Sequence, residues 1–215
     1  MPRPARAAGC GALFSIKDNA INTLLSQLVE VRPGFPFRSS IIEDAAGDAL
    51  VVQLKDISRE NGPDWSQLIR TRLSGRKPYP FLQDDDILLP IRGNSYFAVH
   101  LAKVPEPTVA ASHFFVLRAD KKRILPAFLV WQLNYGPAQE YFRQVRTGSV
   151  QQGLRRADVE QIPVVVPPLE QQARFAALAA NIRRQQDIFR QQIANADRLL
   201  HGLAASLHAQ ERKDA

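Results

Sequence analysis

Cysteine is almost absent from this chain of 215 residues: Cys10 stands alone, so no disulfide can brace the fold and a reducing compartment is expected. No apolar run approaches the roughly 18 residues of a membrane span. The apolar stretch Ala12–Ile16 is cut short by Lys17, Asp18 and Asn19, too early for a secretory leader. The expected location is the cytoplasm. Catalytic signatures are lacking as well. No glycine-rich cofactor loop joins a strand to a helix, and Pro167–Pro168 has neither the preceding Asn or Asp nor the following aromatic of a DNA methyltransferase motif. A metal-dependent nuclease needs spaced carboxylates with a nearby Lys. Asp84, Asp85 and Asp86 are adjacent, so their side chains diverge and read as a polar turn before a buried strand, and Pro63–Asp64 is followed by no Glu-x-Lys. The four histidines do not converge either. His201 and His208 lie two helical turns apart, too far for one metal ion. His113, in an apolar stretch, reads as a packing residue, and His100 carries no signal. These absences argue against an enzyme and against a bound metal.

Positive charge is what the chain has in excess. The formal net charge is +7, and 21 of the 28 basic residues are Arg. Arginine forks match phosphates and guanine edges in pairs, where lysine acts as a point charge, so this balance suits a nucleic-acid partner. Four basic clusters stand out. Arg70, Arg72, Arg76 and Lys77 surround Gly75, as in an exposed loop able to enter a groove. Arg92, Asn94, Ser95 and Tyr96 follow a strand through Gly93, which lets the backbone turn close to a ligand. Arg118, Lys121, Lys122 and Arg123 form the third, and Arg143, Arg146, Thr147, Ser149, Gln151 and Gln152 the fourth. The first, second and fourth make the preferred DNA surface, with Arg92 and Asn94 as base readers and Lys77 and Arg146 on phosphates.

The other prominent feature is the seam Gly148–Gln172, which leads into some forty residues of proline-free sequence. Pro163, Pro167 and Pro168 hold the chain extended, since each fixes its own φ and disfavours the α region for the residue before it. Leu169–Ala209 then reads as a single helix, roughly 60 Å long at 1.5 Å per residue. Phe175, Leu178, Ile182, Phe189, Ala196, Leu199 and Leu203 fall on one stripe, interrupted by Gln185 and Gln192, and Ile188, Ile193, Leu200 and Leu207 widen it. Such a stripe is too long for one small domain to cover, so a partner helix is expected. Ahead of the seam, residues 1–17 read as a flexible arm, residues 18–166 as one globular domain, and 167–215 as the dimerisation helix. Within the domain, Asp18 reads as the N-cap of a short helix Asn19–Leu28. Asp48–Ile57, Asp86–Ile91 and Val109–Leu117 read as strands, and Pro126–Val145 as helix broken at Gly136–Pro137. The class is α+β.

The order of these pieces resembles one half of the DNA specificity subunit of Type I restriction–modification systems. Val31–Ser40 and Val51–Ile57 resemble that family's entry into its target-recognition domain, Leu82–Gly93 its acidic turn plus strand, and Ala111–Leu117 a later core strand. Leu125–Phe142 resembles the helix before its GS-containing loop, and the IPVVVPPLEQQ seam carries the likeness into the long helix. The resemblance implies a non-catalytic subunit that binds a specific double-stranded DNA sequence. Its partner would be a methyltransferase subunit carrying S-adenosylmethionine, joined by a restriction translocase in systems that also cleave. Members of the family carry two recognition domains with antiparallel helices. No internal repeat is present here, so the chain reads as a half-subunit that homodimerises through its C-terminal helix, unless another half-subunit supplies the second helix. The competing reading is a coiled-coil adaptor or inhibitor that binds protein within a phage-defence operon.

Overall fold

The computed structural model describes residues 20–75, 77–93, 96–148 and 153–211, the side chains of 147–148 and 206–211 excepted. The expected arm, residues 1–17, lies outside the described residues. In chain order the elements are β1 (Ile21–Leu24), β2 (Val29–Pro33), β3 (Ala49–Val52), β4 (Ile57–Ser58), β5 (Gly62–Pro63), β6 (Ile69–Thr71), β7 (Ile87–Pro90), β8 (Val99–His100), β9 (Thr108–Ala110), β10 (Phe114–Ala119), α1 (Pro126–Asn134), α2 (Pro137–Gly148), α3 (Arg156–Glu160), β11 (Pro163–Val166) and α4 (Leu169–Glu211). The fold is α+β with a long C-terminal helix. Two compact units are formed, one up to Arg174 and one from Phe175 onward.

The first unit is built on two sheets. An antiparallel sheet runs β2-β10-β7-β8, and a second runs β6-β3-β9 with β3 and β9 parallel. Strand β3, Ala-Leu-Val-Val, is buried at all four positions. Side chains alternate along a strand, so an unbroken apolar run calls for cover on both faces. Val52 packs with Leu88, Val99, Ala110, Phe114 and Val116. Ala49 and Val51 join Phe35, Leu73, Val109 and Ala111 in a second core, against which Phe37, Ile41 and Tyr79 are half-buried.

Three local expectations are corrected. Ile21–Leu24 is a strand followed by one 3-10 turn at Leu25–Gln27, not a helix, because β11 pairs with it from Ile21↔Val166 to Leu24↔Pro163. Asp18 and Asn19, the expected start of that helix, lie outside the described residues. The strand expected over Asp48–Ile57 stops at Val52. Leu54–Asp56 is a 3-10 turn in which the Asp56 carboxylate accepts the Gln53 N–H at 2.8 Å. The strand expected over Val109–Leu117 is two strands in different sheets, separated by a turn at Ser112–His113, and His113 is exposed there, not packed. By contrast, α1 and α2 meet at Gly136–Pro137, where Gly136 takes φ 64°.

Buried side-chain amides tie the unit together. Asn134, 1 % exposed, accepts the Ala98 N–H at 2.7 Å and donates to the Ala98 carbonyl at 2.8 Å. Gln132 does the same for Val165 on β11, accepting at 3.0 Å and donating at 2.6 Å. Gln172, fully buried in the first turn of α4, accepts the Leu125 N–H at 2.8 Å and donates to the carbonyls of Arg123 and Pro167 at 3.0 and 2.8 Å. Replacing Gln172 with Ala strands these backbone groups without partners. At about 1–3 kcal/mol per buried orphan, the expected loss is about 2 kcal/mol or more in urea denaturation. A change below about 0.5 kcal/mol, the usual size for a surface substitution, would mean that Gln172 is no such tie.

Candidate nucleic-acid interface

The tip of the β7–β8 hairpin is the centre of the site. Strand β7 ends at Pro90, and the chain turns through Ile91, Arg92 and Gly93 before returning along β8. Ile91 joins three segments: its N–H donates to the His113 carbonyl at 2.9 Å, and its carbonyl accepts the Leu154 N–H at 2.9 Å. Gly153 takes φ 151° so close by that a Cβ there would stand 3.1 Å from the Ile91 oxygen, leaving little room for a larger residue. The amide of Gln139, on α2, donates to the Tyr96 carbonyl at 3.0 Å. The hairpin tip, the turn before β10, the loop into α3 and helix α2 are thereby held together at one end of the four-stranded sheet.

Two of the expected clusters converge on this end. Arg92 is exposed on the tip, and Arg143 and Arg146 are exposed on α2. Arg143 pairs with Glu140 on its own helix. Arg146 lies near enough to Tyr96 to lower its pKa, against the larger upward push of burial. Tyr96 itself is a correction. Its ring is 6 % exposed and tilts against Phe142 at 5.6 Å, so it packs the hairpin onto α2 and offers little surface to a ligand. Asn94, Ser95, Ser149, Gln151 and Gln152 lie outside the described residues, as does Arg76 of the first cluster.

The rest of the first cluster divides. Arg70, on β6, pairs with Glu106, and Arg72 pairs with Asp44 at 3.2 Å. Exposed pairs of this kind contribute little stability and their side chains can be redirected. Still, two acids offset these two cations. Lys77 has no carboxylate partner among the described residues; its ammonium lies 5.8 Å from the centre of the Tyr79 ring. Tyr79 meets Phe35 edge-on at 6.0 Å, and Phe35 bridges to Ala111, two residues before His113.

At the opposite end of the same sheet the charges are matched. Asp86 is buried and holds the Arg118 guanidinium through two bonds of 2.8 Å, while accepting the Gln83 N–H at 2.8 Å. Asp85 accepts from Lys121 at 2.6 Å and contacts His100 Nε2 at 2.9 Å. The Lys121 ammonium holds the Asp85 carboxyl below its ordinary range. Asp84 caps the Val104 N–H at 2.8 Å. Each carboxylate of the acidic turn thus serves a different partner. The third basic cluster is engaged here too, with Arg123 donating to the Gln27 carbonyl at 2.5 Å. Among the described residues no three His, Cys, Asp or Glu side chains are placed to hold a metal ion, and no helix is long and apolar enough to cross a membrane.

On α4 most of the expected stripe is exposed. Leu178, Ile182, Phe189, Leu199 and Leu203 are between 43 % and 70 % exposed, Ile188, Ile193 and Leu200 are exposed beside them, and Phe175 is half-buried.

Sequence reasoning missed two exposed residues on segments that reach the hairpin end. Arg38 is exposed, with no carboxylate partner among the described residues, and follows the aromatic pair Phe35 and Phe37, whose rings meet at 4.8 Å. His113 was hidden by reading its turn as strand. The only signal for it was Ser112 interrupting an apolar run.

No protein-family model matches the chain. It is 25 % identical over 133 residues to the Type I restriction enzyme StySPI specificity subunit of Salmonella potsdam, a match covering 60 % of this chain and 29 % of that protein. Among solved structures, it superposes on a chain from a study of complex assembly and conformational transition in the type I R-M system, with a TM-score of 0.60 and 17 % identity over 94 % of this chain and 46 % of that one. It also superposes on the HsdS subunit of Thermoanaerobacter tengcongensis (TM-score 0.55, 16 % identity, 85 % and 40 % covered) and on the Type-I restriction-modification S subunit of M. genitalium (0.53, 13 %, 79 % and 40 %). The chain shares the fold of Type I specificity subunits and spans less than half the length of these relatives.

Proposed function

We propose that the chain is a sequence-specific DNA-binding specificity subunit of a Type I-like restriction–modification or related defence system, directing a partner methyltransferase to its site. The observation that carries this is the fold shared with type I specificity subunits over up to 94 % of the chain, joined to the sequence match with one of them. The chain supplies recognition and no catalytic step. S-adenosylmethionine belongs on the methyltransferase, and a translocase subunit would add cleavage. The stripe on α4 calls for a second helix, and a second copy of this chain is the simplest source. Paired antiparallel, two copies put identical recognition units at opposite ends of a two-fold assembly, and the DNA they read is then an interrupted palindrome.

The test is selection from random duplexes by the chain together with its methyltransferase. The expected outcome is one bipartite motif. Affinity should fall steeply with salt, since each neutralised phosphate releases a counterion. The chain on its own should neither methylate nor cut the selected DNA. An intact complex that selects no motif would favour the protein-binding adaptor.

A further inference from the structure

The segments that meet around Ile91 are poor in acid: the two carboxylates that flank them on α2 and α3, Glu140 and Asp158, pair with the neighbouring Arg143 and Arg155. No Asp or Glu occurs in 31–42, 88–105, 107–119 or 141–157, whereas Glu30, Asp84, Asp85, Asp86 and Asp120 gather where β2, β7 and β10 have their other ends. The fold thus separates charge along one sheet. At the acidic end Arg118 and Lys121 are neutralised by Asp86 and Asp85. Arg38 and Arg92 meet no carboxylate among the described residues, and His113 is exposed on the turn whose backbone joins Ile91. Their placement is built by backbone contacts. Ile91, next to Arg92, donates to His113, and Gly34 donates to Phe114 at 2.9 Å. Gly34 approaches Ala111 so closely that a Cβ there would lie 2.0 Å from the Ala111 oxygen, which sets the start of the Gly34–Arg38 segment against the His113 turn.

From this geometry we infer that the hairpin end of the sheet is the surface laid on duplex DNA, and that Arg38 and His113 belong to the contact set with Arg92. The inference rests on the DNA-binding reading above. A polyanion is the ligand that such a surface fits, because Arg38 and Arg92, which have no carboxylate partner among the described residues, attract phosphates without a paired acid to displace. Arg38, on the segment that Gly34 sets against the His113 turn, contacts a phosphate. His113, next to Arg92 at the centre, can donate and accept at a base edge or phosphate.

The experiment compares Arg38→Ala, His113→Ala and His113→Gln with Lys103→Ala and Lys122→Ala, two exposed cations toward the acidic end, in the full chain bound to its methyltransferase. Arg38→Ala should weaken binding to the selected duplex about five-fold or more and lower the salt slope by about one. His113→Ala should weaken binding comparably, with partial rescue by Gln. Lys103→Ala and Lys122→Ala should stay within about two-fold of wild type and leave the salt slope unchanged. Thermal unfolding of each variant checks that the fold is intact. If wild type selects its motif while both Arg38→Ala and His113→Ala bind as tightly as wild type, the inference is wrong and the DNA-binding reading stands. If wild type itself binds no duplex, both fall together.

Discussion

Replacing Ile182 and Phe189 with glutamate is expected to abolish the proposed pairing of two chains through α4. These side chains lie seven residues apart, on the same face of α4 two turns from each other, and are 46 % and 61 % exposed in the single chain. A paired helix would bury both. Each carboxylate placed at such a seam is taken out of water without a partner, which costs several kcal/mol, and two copies double the number. Against a coiled coil of this length that shifts association by orders of magnitude. Within the isolated chain the same changes fall on exposed positions, so the circular dichroism and thermal midpoint of the first unit should stay as in wild type. Mass in solution, by light scattering or native mass spectrometry, is the readout. A wild-type chain that is monomeric both free and with its methyltransferase, or that selects an asymmetric site as a homodimer, would overturn the two-fold assembly.

Asp86→Ala should be the most damaging single change to the first unit. The carboxylate is 1 % exposed and receives both Arg118 bonds and the Gln83 N–H. Removing one member of a buried pair leaves the other charge uncompensated, at about 3–5 kcal/mol. Arg118 keeps about a quarter of its side-chain exposure, which places the cost toward the lower end of that range. Replacing both partners by apolar residues of similar size, Asp86→Leu with Arg118→Met, should recover much of the loss, because the desolvation of two charges disappears with the pair. Chemical denaturation measures both. If Asp86→Ala kept wild-type stability but lost a metal-dependent cutting activity, the acidic turn would be a catalytic site and the non-catalytic reading would be wrong.

The acidic turn shows how far a local pattern reaches. Three adjacent aspartates already read as a polar turn before a buried strand, because neighbouring side chains diverge; which cations Asp85 and Asp86 take depends on strand β10 and the turn after it, more than thirty residues away. Asp85 adds a pH dependence. Its folded pKa lies below its unfolded value, so its contribution is present above the unfolded carboxylate range and is lost as pH falls through the folded pKa.

Local chemistry was enough for the long helix, the extended seam and the break at Gly136–Pro137. Proline and glycine act on their own φ angles and immediate neighbours, and a helix closes its hydrogen bonds within four residues. The resemblance to specificity subunits also lay in the order of such segments. The strand at Ile21–Leu24 depended on β11, some 140 residues further along, and pairing with it outweighed the helical reading. The hairpin end was settled in the same non-local way. Arg70 and Arg72 met acids from other loops, Tyr96 turned inward onto Phe142, and His113 came out on a turn where β9 and β10 part into different sheets. Side-chain exposure and charge pairing are set by segments distant in sequence, so a basic cluster could be counted along the chain, but only the tertiary packing decides which of its members are exposed and which are paired with acids.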